Sequence, residues 1–122
     1  MGEDARLRTV LVVDDDASLR LLCRVNLELD GYRVLEAREV SEARDTLRRE
    51  AVDLVLLDVH IGPASGIELM RSVRDEGRAP PIVLVTGSAR LDADTQAEAD
   101  GVVTKPFRLE ELRGIVHRLL NR

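Results

Sequence analysis

Val10-Leu11-Val12-Val13-Asp14-Asp15-Asp16 sets four apolar residues in a row and follows them at once with three acids. A strand with one wet face alternates apolar and polar side chains. A run that is apolar at every position suits a strand covered on both faces, as in a parallel sheet. Three further runs follow at wide spacing: Leu54-Val55-Leu56-Leu57, Ile82-Val83-Leu84-Val85 and the weaker Val102-Val103. Tyr32 to Ala37 mixes apolar and charged residues and suits an edge strand.

Between the runs, apolar residues recur at helical spacing: Leu22, Val25 and Leu29; Val40, Ala43 and Leu47; Leu69, Met70 and Val73; Leu109, Leu112, Val116 and Leu119. Each set is expected to bury one helix face on a sheet. Gly31, Gly66, Pro80-Pro81, Gly101 and Pro106 punctuate the boundaries, and Asp15 or Asp16 and Ser41 stand where N-caps belong. The order is βα repeated five times. Short right-handed connections then predict an α/β fold, a doubly wound five-stranded parallel sheet in the flavodoxin-like order 2-1-3-4-5 with helices on both faces. Gly87 to Asp100 fits least well: Leu91 is its only large apolar residue, and Asp92, Asp94, Glu98 and Asp100 crowd it. The fourth helix is expected to be short or mobile.

The 122 residues suit a single domain over 1–122, with its core between about 9 and 120. Hydrophobic residues make up 44% of the chain but Tyr32 and Phe107 are its only aromatics, so the core is aliphatic. The net charge is −5 and the basic residues are interleaved with acids. A surface that neutralises nucleic-acid phosphates needs clustered Lys and Arg, so no direct nucleic-acid contact is expected. Cys23 stands alone in an apolar stretch, which excludes an intramolecular disulfide and suits a reduced, cytoplasmic setting. Met1 to Arg8 is polar, and no window approaches the ~20 apolar residues of a membrane span, so neither secretion nor membrane insertion is expected.

In a parallel α/β sheet, ligands bind outside the carboxyl ends of the strands. That rule selects Asp14-Asp15-Asp16 after the first run, Asp58 at the end of the third, Thr86 at the end of the fourth and Lys105 just beyond the fifth. Each alone has an ordinary structural use: Asp16 as a helix cap, Asp58 as a turn-former, Thr86 as a strand end, Lys105 as surface. Together they bring acids, a hydroxyl and an ammonium to one edge. Carboxylates from two strand ends repel unless a cation sits between them or one is partly protonated, and Mg²⁺ takes such oxygen ligands. A carboxylate can also act as nucleophile toward phosphorus, leaving the equatorial oxygens to be stabilised by Mg²⁺, Lys105 and the Thr86 hydroxyl.

At these residues the chain resembles the response-regulator receiver family. The resemblance rests on Val12-Val13-Asp14-Asp15-Asp16, Asp53-Leu54-Val55-Leu56-Leu57-Asp58, Gly66, Val85-Thr86-Gly87 and Thr104-Lys105-Pro106-Phe107, and spans about Thr9 to Leu120. It implies that Asp58 is the phosphoacceptor and a metal ligand. It likewise implies that Asp14 and Asp15 bind Mg²⁺ directly or through water, with Mn²⁺ able to substitute, and that His60 offers its backbone carbonyl to the metal. Thr86 would bond a phosphoryl oxygen and Lys105 would pair with another. The implied partners are a sensor histidine kinase or a histidine phosphotransfer protein upstream and a protein effector downstream. Such a domain is not a turnover enzyme; it catalyses only its own phosphorylation and slow autodephosphorylation. A cis peptide at Lys105-Pro106 is also implied.

The chain departs from the family pattern in places. Gly62 stands four residues after Asp58 where proline is common, with Pro63 one later. Val102 replaces an inward-turning aromatic, and the stretch from Thr86 to Lys105 looks about one helical turn short. Output is therefore expected from reordering of Gly87 to Asp100. His60 and Ser88 fall where side chains lie near the phosphoryl group and influence its hydrolysis, whereas His117 reads as solvated surface.

Two other readings compete. Asp14-x-Asp16-x-Ser18 resembles the nucleophile motif of haloacid-dehalogenase-type phosphatases, with Thr86 and Lys105 in its second and third motifs, but that reading leaves Asp58 without a role. The other is a phosphorylation-independent receiver-like binding module. A stand-alone regulator, a phosphorelay shuttle and a domain of a longer chain all remain open.

Overall fold

The computed structural model describes residues 7–77, 79–87 and 91–121. Five parallel strands form the sheet: β1 Thr9–Val13, β2 Arg33–Ala37, β3 Leu54–Asp58, β6 Ile82–Thr86 and β7 Gly101–Thr104, in the order β2-β1-β3-β6-β7. Counted among themselves, these strands stand in the expected order 2-1-3-4-5. Two further strands among the described residues, β4 His60–Ile61 and β5 Ala64–Ser65, make a small antiparallel hairpin that the sequence patterns did not foretell. Gly62 at φ +59° followed by Pro63 suits a two-residue primed turn, in which the first position needs a positive φ.

Side-chain alternation sorts the sheet into two apolar layers. Val10, Val12, Leu54, Leu56, Val83, Val85 and Val103 pack beneath helices α1, Ala17–Leu29, and α5, Leu109–Leu120. Leu11, Val13, Val55, Leu57, Ile82 and Leu84 pack beneath α2, Val40–Arg49, and α3, Gly66–Asp75. β1, β3 and β6 are buried throughout, as expected of strands covered on both faces.

Two local expectations are corrected. On α1 the buried residues are Cys23 and Leu27, with Leu19 packed beside them, while Leu22 and Val25 are exposed and Leu29 is 80% exposed. Both sets have helical spacing, and the chain's entry from Asp16, which caps α1 through bonds from the Ser18 and Leu19 amides, goes with burial of the Leu19/Cys23/Leu27 stripe. Ser41 is not a cap: α2 begins at Val40, and the first-turn Glu42 instead accepts the Arg38 amide at 2.7 Å.

The fourth helix is short, α4 spanning Ala93–Glu98. Polar contacts join it to α3. Arg71 forks onto Glu98 at 2.7 and 3.0 Å and reaches the Thr95 hydroxyl at 3.3 Å. Arg74 bonds Asp100, which also accepts the Ile82 amide. Exposed ion pairs contribute only about 0–1 kcal/mol each, so this element is held less firmly than one with an apolar face.

Candidate functional site

The carboxyl ends of β1, β3, β6 and β7 converge as the sequence order implied. Asp14 extends the β1 ladder by one bond, its amide donating to the Ala37 carbonyl, and its side chain is buried. Asp58 ends β3 and is also buried. By strand alternation both share the parity of Val12 and Leu56, so they project toward the layer under α1 and α5. The Lys105 ammonium lies 3.2 Å from Asp14 Oδ2 and 3.3 Å from Asp58 Oδ2. The remaining lone pairs are partly met by main-chain donors: Asp16 N–H to Asp14 Oδ1 at 2.9 Å, and His60 N–H to Asp58 Oδ1 at 3.2 Å.

Asp15 is exposed and accepts the Gly62 amide at 2.8 Å. One carboxylate oxygen from each of Asp14, Asp15 and Asp58 lies within 4.8 Å of the others. Three hard anionic oxygens at that separation fit a small divalent cation, and one ammonium cannot balance three carboxylates. The buried Thr86 ends β6, one residue beyond the partner of Asp58 in the β3–β6 register. Its carbonyl accepts the Lys105 amide at 2.7 Å, so the hydroxyl and ammonium residues are joined through the backbone. The Lys105–Pro106 peptide is cis.

Burial holds the Asp14 carboxyl above its usual pKa, with Asp58 reinforcing it, against the opposing pull of the Asp16 amide and Lys105. Folded chain therefore binds more protons than unfolded chain between the two values, and stability falls as pH rises through that window. At neutral pH the ionised group is a cost to the fold. Asp14→Asn is accordingly expected to raise the stability of the metal-free protein at neutral pH while weakening cation binding. Thermal unfolding at pH 7 without divalent ions checks this; an unchanged or lower midpoint would mean that the Lys105 pair outweighs burial.

Cys23 lies beneath the site with its thiol pushed up to about 11, by burial first and by Asp14 second, so it stays protonated and inert. His60 has an exposed ring. His117 is exposed, as expected, yet its Nδ1 lies 3.4 Å from the Tyr32 hydroxyl. Ser88 lies outside the described residues.

Sequence reasoning missed Arg20. Its Nη1 donates to the Asp14 carbonyl at 2.8 Å and its Nε to Glu36 on β2 at 3.0 Å, while Arg24 takes the other Glu36 oxygen. The available signal was an arginine one helical turn past the capping Asp16.

A doubly wound sheet carrying paired acids, a hydroxyl and a lysine at its carboxyl edge is the arrangement that the resemblance to the receiver family implied. Comparison with known proteins agrees. Residues 10–117 match the response regulator receiver domain family. The phosphate regulon transcriptional regulatory protein PhoB of Pseudomonas aeruginosa is 38% identical over 120 residues, covering 94% of this chain and 52% of that protein. The response regulator protein TrrA of Thermotoga maritima, solved in complex with Mg(2+)-BeF, superposes with a TM-score of 0.85 at 31% identity, covering 93% of this chain and all of that one. A structure of histidine kinase ThkA in complex with TrrA holds a chain matched at 32% identity and a TM-score of 0.84, over 94% of this chain and all of that one. The chain belongs to the response regulator receiver domain family, whose members are signalling proteins. It spans about half the length of the curated relatives it matches.

Proposed function

We propose that Asp58 accepts a phosphoryl group from a histidine of a sensor kinase or phosphotransfer protein, and that the new charge switches the domain for a downstream protein effector. The observation that carries this is the buried Asp58 carboxylate, held by Lys105 at 3.3 Å with oxygens of Asp14 and Asp15 within 4.8 Å. The resemblance to TrrA supports a cation of the Mg²⁺ type, and the ThkA complex supports a kinase as donor.

Asp14, Asp15 and Asp58 would hold Mg²⁺, with the His60 carbonyl as a further ligand. When bound, the ion offsets negative charge on the entering phosphoryl oxygens. An Asp58 carboxylate oxygen attacks phosphorus in line as the bond to the donor nitrogen breaks, and Lys105 and the Thr86 hydroxyl take phosphoryl oxygens. The added dianion then biases the loops around it, and the element expected to reorder is the segment from Gly87 to Asp100, of which residues 88–90 lie outside the described residues. Leu21, Leu22, Val25 and Leu29 leave an apolar stripe exposed on α1, which starts at the pocket, and the donor protein would dock there. No described helix is long and apolar enough to cross a membrane, and a cytoplasmic setting suits a donor kinase and the free Cys23 thiol.

Intact mass after incubation with Mg²⁺ and acetyl phosphate is the test. Wild type is expected to gain one labile phosphoryl group and Asp58→Asn none. Labelling that survives Asp58→Asn but is lost in Asp14→Asn would favour the phosphatase chemistry instead.

A further inference from the structure

The Gly62 amide lies at the tip of the β4–β5 hairpin, yet it donates to the side chain of Asp15, 47 residues earlier, at 2.8 Å. We propose that this main-chain amide is a positioning group for Asp15, fixing its carboxylate for the cation; the inference rests on the reading of Asp14, Asp15 and Asp58 as the cation site.

Asp15 needs such a device more than its neighbours do. Asp14 and Asp58 are buried and each meets Lys105, but Asp15 is exposed. Repulsion from two acids and the pull of water both favour its swinging outward before a cation arrives. A carboxylate offers about four lone-pair positions, so an amide on Oδ2 leaves Oδ1 open to the ion. The amide does not compete for the site; it lowers the ordering cost of filling it.

The hairpin is built to deliver this donor. His60 and Gly62 are two residues apart, and the same edge sends the His60 amide to Asp58 at 3.2 Å and the Gly62 amide to Asp15. Ile61 between them is 2% exposed and anchors the strand in the α2/α3 layer. The Ile61–Ala64 and His60–Ser65 pairs hold the turn, and Ser65 caps α3 through the Glu68 amide, tying the far arm to a helix. A proline at position 62 would have no hydrogen to give, and its ring cannot adopt the observed φ of +59°. With the proline one place later, the turn keeps its rigidity and the amide stays free for Asp15.

Titration calorimetry with MgCl2 alone, without phosphodonor, tests the assignment on wild type, Gly62→Asn, Gly62→Pro and the exchanged pair Gly62→Pro/Pro63→Gly. Asparagine keeps the amide and tolerates positive φ, so Gly62→Asn is expected within twofold of wild type. Both proline variants are expected to bind Mg²⁺ about tenfold more weakly, the scale seen when a group supporting a metal ligand is removed. A second readout needs no metal: in the apo protein, Asp15→Ala is expected to shift the Gly62 amide proton upfield and speed its exchange with solvent. Equal affinity in the exchanged pair and wild type would overturn the proposal, as would an equal loss in Gly62→Asn, which would place the effect in turn shape alone. Absence of Mg²⁺ binding by wild type would instead overturn the cation-site reading, and this inference with it.

Discussion

Lys105→Met is expected to slow phosphoryl incorporation at Asp58 by about a hundredfold, the cost of removing one preorganised charge from a transferring group. The substitution keeps an unbranched stem of similar bulk and removes the ammonium, with its charge and its hydrogen bonds to Asp14 and Asp58. In the structure the ammonium sits between Asp14 and Asp58, so it is in place before any phosphoryl group arrives and needs little movement to meet one. Burial works against its charge, but Asp14 and then Asp58 outweigh that effect and hold Lys105 above the usual lysine value. Its contribution to stability is therefore complete below the usual value and is lost only as pH rises through the raised one, in strongly alkaline solution. Across neutral pH the clamp stays charged, so the rate difference between Lys105→Met and wild type is expected to be flat from pH 6 to 8. A time course of phosphoprotein mass with acetyl phosphate would measure it; an unchanged rate would assign charge balance to the cation alone.

The second large effect is structural. A Cβ on Gly66 would overlap the carbonyl oxygen of Asp58 and lie 3.0 Å from its carbonyl carbon and 3.2 Å from Leu57 Cγ. The Gly66 amide is meanwhile bonded to the Val59 carbonyl at 2.8 Å, so helix α3 starts pressed against the end of β3. The obstacle is main chain, which cannot rotate aside as a side-chain tip can. Gly66→Ala is expected to cost about 3 kcal/mol, the upper part of the range for overpacking. The displaced element would carry Asp58, so cation affinity should fall as well. Urea unfolding gives the first quantity; a loss under about 1 kcal/mol would mean that the strand end yields cheaply.

Much of the fold was legible because its determinants are local. Val10 to Val13, Leu54 to Leu57 and Ile82 to Val85 are apolar at every position, and a strand apolar on both faces has few places to go but the middle of a covered sheet. The acids after the first and third runs then fall on the carboxyl edge by chain direction alone. Helix α1 was misread for an equally physical reason. Leu19, Cys23 and Leu27 form one helical stripe and Leu22, Val25 and Leu29 another, and periodicity reports that a face is apolar without saying which face meets the sheet. The hairpin was missed because each of its strands is two residues long, too short for any alternation to register.

By itself, the sequence determined the βα order, the covered strands, the shortness of α4 and the assembly of Asp14, Asp58, Thr86 and Lys105 at one edge. These follow from patterns carried within single elements and from the handedness of their connections. Only the tertiary structure decided how those residues meet. Lys105 reaches Asp14 across 91 residues and Asp58 across 47, Arg20 supports the Asp14 carbonyl, and the Gly62 amide turns toward Asp15. Such contacts depend on distances between separate elements being set to within a few tenths of an ångström, which packing fixes and no local pattern encodes.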